Sequence, residues 1–413
     1  MTAPTPQLGL KEVLKIKAVR TLWLAQIVSV FGDFLVLFAV LSVASFQLNA
    51  TPAQVTFISL AFMLPFALIG PLAGVFVDRW NVKRTMIASD LIRATLALGL
   101  VFTTSLNQIY VILLLLSVVS TFFMPAQTVT LRTIVPREGL MAANTLMQQA
   151  FQLVRIVSPA AAGVLVYWFG ASVCYYIDSF SFLISATLVA TLLIQRETDT
   201  TNKTNSVKSV LTDLIAGIKF VATHPIISFV LLAMGAGMFA ISCFGPLIAV
   251  YVRDVLKADS RLFGIINSLI GVGMIVGTLL MNKFTRNRSK NHLPLFGLFT
   301  MGAFVFVLAI FNNVAMTAVA MFGVGIGAVF IFVSAQVMMQ GHTPMEMMGR
   351  VSSSVMAVIS ISQLFGLVFS GSLAQAVGIR TMFYASAVFL ALIAGVGYFF
   401  LPQDTPEKSG APT

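Results

Sequence analysis

Long apolar runs, separated by short polar segments, cover almost the whole chain. Each run is long enough to cross the hydrocarbon core of a bilayer as a helix of about 20 residues. We place the runs at approximately 19–46, 53–77, 85–104, 108–129, 140–167, 172–194, 225–250, 262–282, 293–311, 314–339, 351–377 and 381–401. Since helices satisfy their own backbone polar groups in lipid, the pattern predicts an all-α membrane protein with twelve transmembrane helices.

The composition excludes a soluble domain. The 413 residues are 58% hydrophobic and only 9% charged, and their mean hydropathy is +0.96, a balance typical of polytopic membrane proteins. The net charge of +11 indicates basic loops that face anionic lipid rather than a nucleic-acid partner. The two cysteines, Cys174 and Cys243, fall in apolar runs, so we expect buried free thiols and no metal site.

The basic residues set the predicted orientation. Most of the 25 Lys and Arg residues fall in alternate loops that share one side of the membrane with the termini. The opposite loops carry only Arg253, Lys257, Arg261 and Arg380, and two further arginines lie inside spans. Because positive charge accumulates on the cytoplasmic side, we expect both termini to be cytoplasmic.

The chain divides into two halves that repeat each other. A polar stretch at 195–206 and an amphipathic segment at 207–219 predict a cytoplasmic linker over 195–223. The N-terminal bundle is then 1–194 and the C-terminal bundle 224–413. With an offset of 208 residues, Pro136 aligns with Pro344 and Gly170 with Gly378. Parallel repeats of this kind are a known transporter symmetry.

Residues 70–84, GPLAGVFVDRWNVKR, form a charged turn between two spans. Such charges must lie at a membrane face, and the small residues Gly70 and Gly74 predict the close approach of a neighbouring helix. The segment resembles the signature loop of the major facilitator superfamily, G-x-x-x-D-[RK]-x-G-R-[KR]. The matching residues are Gly74, Asp78, Arg79 and Lys83, whereas Asn81 replaces the second Gly and Val82 a basic residue. The resemblance implies a secondary transporter built from two six-helix bundles.

Two further segments, LVRIVSPAAAGVL and HTPMEMMGRVSS, resemble the macrolide-efflux and enterobactin-exporter branch of that superfamily. SPAAAG is also similar to the antiporter pattern G-x-x-x-G-P-x-x-G-G, of which Pro159 and Gly163 remain. The first span, with QIVSVFGDFLVLFA, looks somewhat like that of lysophospholipid transporters. The branch implies export from a bacterial cytoplasm across the inner membrane, driven by the proton gradient.

Ionisable residues inside spans are costly and are therefore functional candidates. Asp33 lies near the centre of the first span, and Gln26 shares its helix face. Asp33 either binds and releases a proton during transport or forms a fixed contact between helices; we favour proton coupling. In the fifth span Asn144, Gln148, Gln152 and Arg155 form one polar stripe. Arg155 is a candidate countercharge for Asp33 or for an anionic substrate, and equally a fixed interhelical contact.

Asp90 and Arg93 lie three residues apart, at the cytoplasmic end of the third span. They either pair with each other or join the neighbouring charged turn in an ion-pair cluster that opens with the inner gate, and we favour the second. The predicted gate residues are Gly74, Asp78, Arg79, Lys83, Asp90 and Arg93. We expect Asp178, near the outer end of the sixth span, to be structural or to reach towards the interface rather than to couple protons.

Apolar side chains dominate the remaining helices that could line a cavity, including Phe62, Met63 and Met124. Met and Phe form adaptable walls that suit varied lipophilic substrates. The predicted cavity residues are Gln26, Met147, Gln148, Gln152, Met238, Phe239, Ser360 and Gln363. No nucleotide-binding loop or nucleophile motif is present, so we expect neither an enzyme nor a bound cofactor.

These patterns predict a monomeric secondary transporter that exports lipophilic or amphipathic small molecules, as in multidrug or macrolide efflux, by proton antiport with alternating access. The alternatives are a lysophospholipid or lipid transporter and a siderophore exporter of the same fold. A membrane sensor is less favoured, because we identify no soluble output domain.

Overall fold

The computed structural model describes residues 8–77, 79–194, 215–217, 219–284, 292–344 and 347–400. Within these ranges the chain is helical and contains no strand. The predicted linker lies mostly outside them, as does Asp78. The helices are α1 (Leu10–Lys15), α2 (Lys17–Ser42), α3 (Pro52–Val77), α4 (Val82–Gly99), α5 (Leu106–Ile134), α6 (Leu140–Phe169), α7 (Ala171–Ala190), α8 (Pro225–Phe244), α9 (Leu247–Asp254), α10 (Ser260–Phe284), α11 (Leu293–Ile310), α12 (Val314–His342), α13 (Met348–Val377) and α14 (Ile379–Phe400).

Within the described ranges, twelve segments are long and apolar enough to cross a membrane, which confirms the predicted number. The first runs from Lys17 through α2 into a π-helical turn, Val43–Gln47, and α8 and α9 together form the seventh. Several helices extend beyond the predicted spans; α5, for example, continues to Ile134. A helix can continue beyond the hydrocarbon core, where its residues can be polar. Hydropathy alone therefore underestimates the helix length.

Local sequence explains where helices begin and end. Asn81 caps α4 by accepting a 3.0 Å hydrogen bond from the backbone N–H of Arg84, and Asn313 caps α12 through Met316. Side-chain oxygens of this kind satisfy amides that have no partner within the helix. Asn81 replaces the second glycine of the signature pattern. This departure from the pattern therefore supplies the residue that caps the beginning of α4.

Two compact units are distinguished by their internal contacts. Unit 1 comprises Met1–Val210 with Ile248–Ser268, and unit 2 comprises Leu211–Leu247 with Leu269–Thr413. In unit 1, α2 packs against α6 and α7, and α4 packs against α5 and α7. In unit 2, α8 packs against α13 and α14, and α11 packs against α12 and α14. The same arrangement therefore occurs twice.

The helix bounds repeat with the offset seen in the sequence. The bounds of α5 and α12, and of α6 and α13, differ by 208 residues at both ends. Gly170 and Gly378 follow α6 and α13 with φ of +79° and +91°, a conformation that costs little only for glycine. The sequence repeat thus corresponds to two copies of one helical pattern.

Glycines allow the closest helix contacts, but not at the predicted place. A Cβ at Gly74 would meet no atom within 4 Å among the described residues, and one at Gly70 would only touch Thr121 at 3.9 Å. By contrast, a Cβ at Gly32 in α2 would overlap the Asp178 carboxylate in α7. The close approach predicted at the charged turn is therefore wrong, and it occurs instead in the middle of unit 1.

Candidate functional site

A pocket of about 260 Å³ lies within unit 1, among α2, α3, α4, α5 and α6. Its walls are mostly aromatic and aliphatic, with a few polar groups on α2, α4 and α5. The residues that line it include Gln26, Ser29, Asp33, Phe34, Phe62, Met63, Phe66, Arg93, Ser120, Phe123, Met124, Gln127 and Phe151. An apolar concavity with few convergent polar groups is the usual character of a small-molecule site.

The helical repeat places polar side chains of α2 and α5 on the faces that line the pocket. Gln26, Ser29 and Asp33 follow one another at intervals of three and four residues along α2, so they share a face. Ser120 and Gln127 do the same on α5, where two helical turns separate them. The amide of Gln127 donates to the Gln26 side-chain oxygen over 2.5 Å, which joins the polar stripes of the two helices on one side of the pocket.

Arg93 is the cation of the pocket. Its guanidinium pairs with the Asp90 carboxylate on the same helix, and Nη1 lies 3.6 Å from Oδ2 of Asp33 on α2. The guanidinium carbon is 4.6 Å from the ring centre of Phe123 and 4.3 Å from that of Phe182. Two carboxylates and two aromatic faces therefore hold the one arginine by ion pairing and by cation–π contact.

This cluster is deeply buried. Arg93 lies eleven residues after the first residue of α4, about 17 Å along the helix axis, which is mid-membrane depth. Its side chain is 3% exposed and that of Asp90 is 0% exposed, whereas 25% of the Asp33 side chain is accessible. The pocket therefore reaches Asp33 and leaves the other two groups sealed in the wall.

A third carboxylate lies behind the pocket. Asp178 on α7 is 1% exposed and lies against Gly32, the residue next to Asp33. Its Oδ1 atom has no hydrogen-bond partner among the described residues, and the same holds for Oδ2 of Asp90 and Nε of Arg93. The burial of Asp178 contradicts the alternative in which it reaches towards the membrane interface, and its predicted structural role stays a prediction.

The expected pairing of Asp33 with Arg155 is not present. Arg155 on α6 is exposed and forms no ion pair with a described residue, and the partner of Asp33 is Arg93. Because α4 packs against α7 and α5 while α7 packs against α2, the arginine of the third span is the one brought to Asp33. Gln148, on the same stripe as Arg155, is exposed, and the side chain of Gln152 lies outside what the structure describes.

The predicted inner-gate residues separate into two groups. Asp90 and Arg93 belong to the buried cluster, so their favoured assignment to the charged turn is wrong and the alternative of mutual pairing is observed. Arg79 is exposed at the turn. Lys83 does not pair with an acid: its Nζ donates to the carbonyl of Leu192, after the end of α7, over 2.8 Å. The membrane-face turn is thus attached to α7 by a cap rather than by an ion-pair cluster among the described residues.

The remaining predicted cavity residues lie away from the pocket. Met147 is buried in the apolar core that includes Val19, Leu22 and Met86. Met238, Phe239, Ser360 and Gln363 belong to unit 2, where they are half-buried, and Phe239 packs against the ring of Phe389 at 5.1 Å. Gln26, Phe62, Met63 and Met124 do line the pocket.

Sequence reasoning found Met124 but missed the other pocket residues of α5. Ser120, Phe123, Met124 and Gln127 recur with the spacing of one helix face, and a glutamine within an apolar span is itself a signal of a non-lipid environment. Phe182 was also missed, because nothing in the sequence separates an aromatic residue that covers a cation from one that faces lipid.

Comparison with known proteins identifies relatives over most of the chain. The family model described as Major Facilitator Superfamily matches residues 22–356 and 230–413. The uncharacterised MFS-type transporter YfiS of Bacillus subtilis (strain 168) is 26% identical over 91% of each chain. Macrolide efflux protein A of Streptococcus pyogenes is 24% identical over 91% of this chain and 93% of its own.

Among solved structures, a mutant of the nucleoside transporter NupG superposes with a TM-score of 0.76 over 93% of this chain and 100% of the other. The two sequences are 13% identical, so this likeness concerns the fold alone.

Proposed function

The chain belongs to the Major Facilitator Superfamily, and we propose that it exports lipophilic or amphipathic small molecules in exchange for protons. Membership makes it a multi-pass membrane transporter rather than an enzyme. We assign it to a bacterial inner membrane with both termini cytoplasmic, because its basic residues concentrate in the loops on that side.

The observation that carries the proposal is the unequal access to Asp33 and Arg93. The carboxylate of Asp33 opens to the pocket, whereas its cationic partner is sealed between Phe123 and Phe182. A group that must exchange protons with water needs access, and a group that must remain charged needs fixed compensation. Asp33 has the access that proton exchange requires, and Arg93 has the fixed compensation that a permanent charge requires.

The geometry suggests how protonation could alter the cluster. When Asp33 is ionised, Arg93 is shared between Asp33 and Asp90, and the α2 and α4 helices attract each other. When Asp33 binds a proton, that attraction is lost and Arg93 remains with Asp90. A change of charge at Asp33 therefore alters the contact between two helices, which is the kind of local event that can bias alternating access.

The pocket walls support a lipophilic substrate. Phe34, Phe62, Phe66 and Phe151 surround the opening to Asp33 together with Met63 and Met124, and methionine adapts to irregular surfaces. The volume is close to the lower end of the usual range of about 300–1,000 Å³ for ligand pockets. The relationship to macrolide efflux protein A supports an exporter.

The test uses purified protein in proteoliposomes with an imposed pH gradient and a pH-sensitive dye inside. A macrolide and a lysophospholipid serve as the two probes. We expect the wild type to couple uptake of the macrolide to proton flux. Asp33→Asn should bind the macrolide and unfold at the same temperature as the wild type, but should lose gradient-driven uptake.

Asp259→Asn is the matched control, because Asp259 is an exposed acid whose Oδ1 caps α10 through the Leu262 amide, and asparagine can replace that acceptor. Uptake by Asp33→Asn at the wild-type rate would sink the assignment of Asp33. Lysophospholipid transport without proton flux would favour the lipid transporter instead.

A further inference from the structure

The buried cluster has more carboxylates than cations. Asp33, Asp90 and Asp178 lie around Arg93, and the charges of Asp33, Arg93 and Asp90 all act on Asp178. An ionised carboxylate without a cation is strongly disfavoured away from water. With a single guanidinium present, the cluster is electrically neutral only when two of the three carboxyl groups hold a proton.

Asp90 is the carboxylate that Arg93 neutralises most directly, since the two groups are in contact and both are sealed. Asp33 and Asp178 are then the two groups that must hold protons when the pocket is closed to water. The surroundings of Asp178 favour a carboxyl group that holds a proton. Its Oδ1 is buried and has no hydrogen-bond partner among the described residues.

The contact between α2 and α7 brings these two groups together. A Cβ at Gly32 would lie 2.9 Å from the Cα of Asp178 and would overlap its carboxylate oxygen, so only glycine permits this approach. Asp33 is the next residue along α2. The missing side chain of Gly32 therefore allows Asp178 to lie beside Asp33.

The described residues of unit 2 contain no such cluster of buried ionisable side chains. The offset of 208 residues places Asp33 and Asp178 on Ile241 and Ser386 of unit 2. The bounds of α4 and α11 differ by 211 residues at both ends, so Asp90 and Arg93 match Met301 and Phe304. Both halves share one helical pattern, so the fold itself does not require acids here. The four ionisable groups form a set that is confined to unit 1 and contribute something other than packing.

We propose that Asp178 carries a second proton, so that the cluster exchanges two protons, one at Asp33 and one at Asp178, in each transport cycle. Each step is the binding of a proton to a carboxylate oxygen and its release to water. Asp33 reaches water through the pocket, whereas Asp178, which is 1% exposed, reaches water when the contact between α2 and α7 opens during the cycle. This inference rests on the proposed function, because it takes Asp33 as the first proton carrier.

The other titratable groups nearby do not supply the second proton carrier. Cys174 and Tyr175 share α7 with Asp178 and are buried, but both are neutral in their ordinary state at physiological pH. No described group of three His, Cys, Asp or Glu side chains is arranged to hold a metal ion.

The test measures charge movement in the empty transporter. Proteoliposomes adsorbed on a solid-supported membrane receive a pH step without any substrate, so the proton is the only probe, and the displaced charge reports the number of protons bound. We expect Asp33→Asn and Asp178→Asn each to lower the displaced charge to about half of the wild-type value. The double variant should retain almost none, and Asp259→Asn should match the wild type.

Asp178→Ser serves as a second variant if the amide is not tolerated, since serine occupies the matching position Ser386 in unit 2. Wild-type protein offers an independent measurement: infrared absorption at acidic pH should show two protonated buried carboxylic acids that ionise as the pH rises. Full displaced charge in Asp178→Asn, a charge that disappears when sodium is replaced by choline, or fewer than two such acids would overturn the inference. Failure of the proposed function appears separately, as gradient-driven macrolide uptake that survives Asp33→Asn.

Discussion

The backbones of Gly163 in α6 and Gly264 in α10 are in direct contact, and neither position has room for a side chain. A Cβ at Gly163 would lie 2.7 Å from the Cα of Gly264, and one at Gly264 would lie 2.7 Å from the carbonyl oxygen of Pro159. The small residues that follow Pro159 in the sequence thus provide a close contact between two spans, as small residues do in membrane helices.

Replacement of Gly163 by alanine should therefore separate the two helices. We expect Gly163→Ala to lower stability by about 1–3 kcal/mol, the usual cost of inserting atoms into a packed contact, measured by denaturation with SDS in mixed micelles. Gly74→Ala is the matched control: it adds the same methyl group where no described atom lies within 4 Å. Equal stability of the two variants would show that the α6–α10 contact does not persist in the membrane protein in solution.

Loss of Arg93 should destabilise the protein in a pH-dependent way. Arg93→Met removes the one cation that the described residues place in the cluster and leaves the ionised Asp90 carboxylate without compensation, at a cost of about 3–5 kcal/mol. Protonation relieves that cost, so the difference in unfolding midpoint from the wild type should grow as the pH rises and shrink as it falls.

The double variant Arg93→Met with Asp90→Asn removes one charge of each sign and tests the same pair. We expect it to be more stable than Arg93→Met alone at neutral pH, because one uncompensated carboxylate has gone. A double-mutant cycle with no coupling between the two substitutions would contradict the ion pair.

The glycines that follow α6 and α13 should be sensitive to substitution for a backbone reason. Gly170 and Gly378 both have positive φ, and a Cβ at Gly170 would meet no described atom within 4 Å. Gly170→Ala should therefore cost about 1–2 kcal/mol through conformation alone, as judged by thermal unfolding in detergent. Gly378→Ala should cost a similar amount; a clear difference between the two would mean that the repeated turns are not equivalent.

Lys83 should stabilise the end of α7. Lys83→Met removes a charged donor from the Leu192 carbonyl and should cost about 1.5–3 kcal/mol, the range for hydrogen bonds to charged groups. Arg84→Met is the control, because Arg84 is exposed and offers only its backbone amide to the Asn81 cap. If both variants unfold at the same temperature, the contact of Lys83 with Leu192 contributes nothing measurable.

Periodicity and composition sufficed to predict the spans, the repeat and part of the pocket wall. These features follow from the length of apolar runs and from spacing along one helix, as with Gln26 and Asp33. The choice between Arg93 and Arg155 as the partner of Asp33 could not be made in this way. It depends on which helices are neighbours and how each is rotated, and a single sequence contains no direct record of either.

Glycine spacing misled for a related reason. Gly70 and Gly74 lie four residues apart, which marks one helix face but does not reveal whether another backbone lies opposite. Gly32 stands alone in its span and gives no such pattern, yet it makes the closest approach beside the site. Contacts that depend on the partner helix are visible only once both helices are in place.

The confinement of buried charge to one half has an electrical consequence. Among the described residues, the buried charged side chains are Asp90, Arg93 and Asp178, all in unit 1. When one elementary charge crosses the bilayer, a membrane potential of 100 mV changes its free energy by about 2.3 kcal/mol. Under the proposed two-proton exchange, voltage therefore acts on the binding and release of protons within unit 1, while the described part of unit 2, built on the same helical pattern, presents no buried charged side chain to the field.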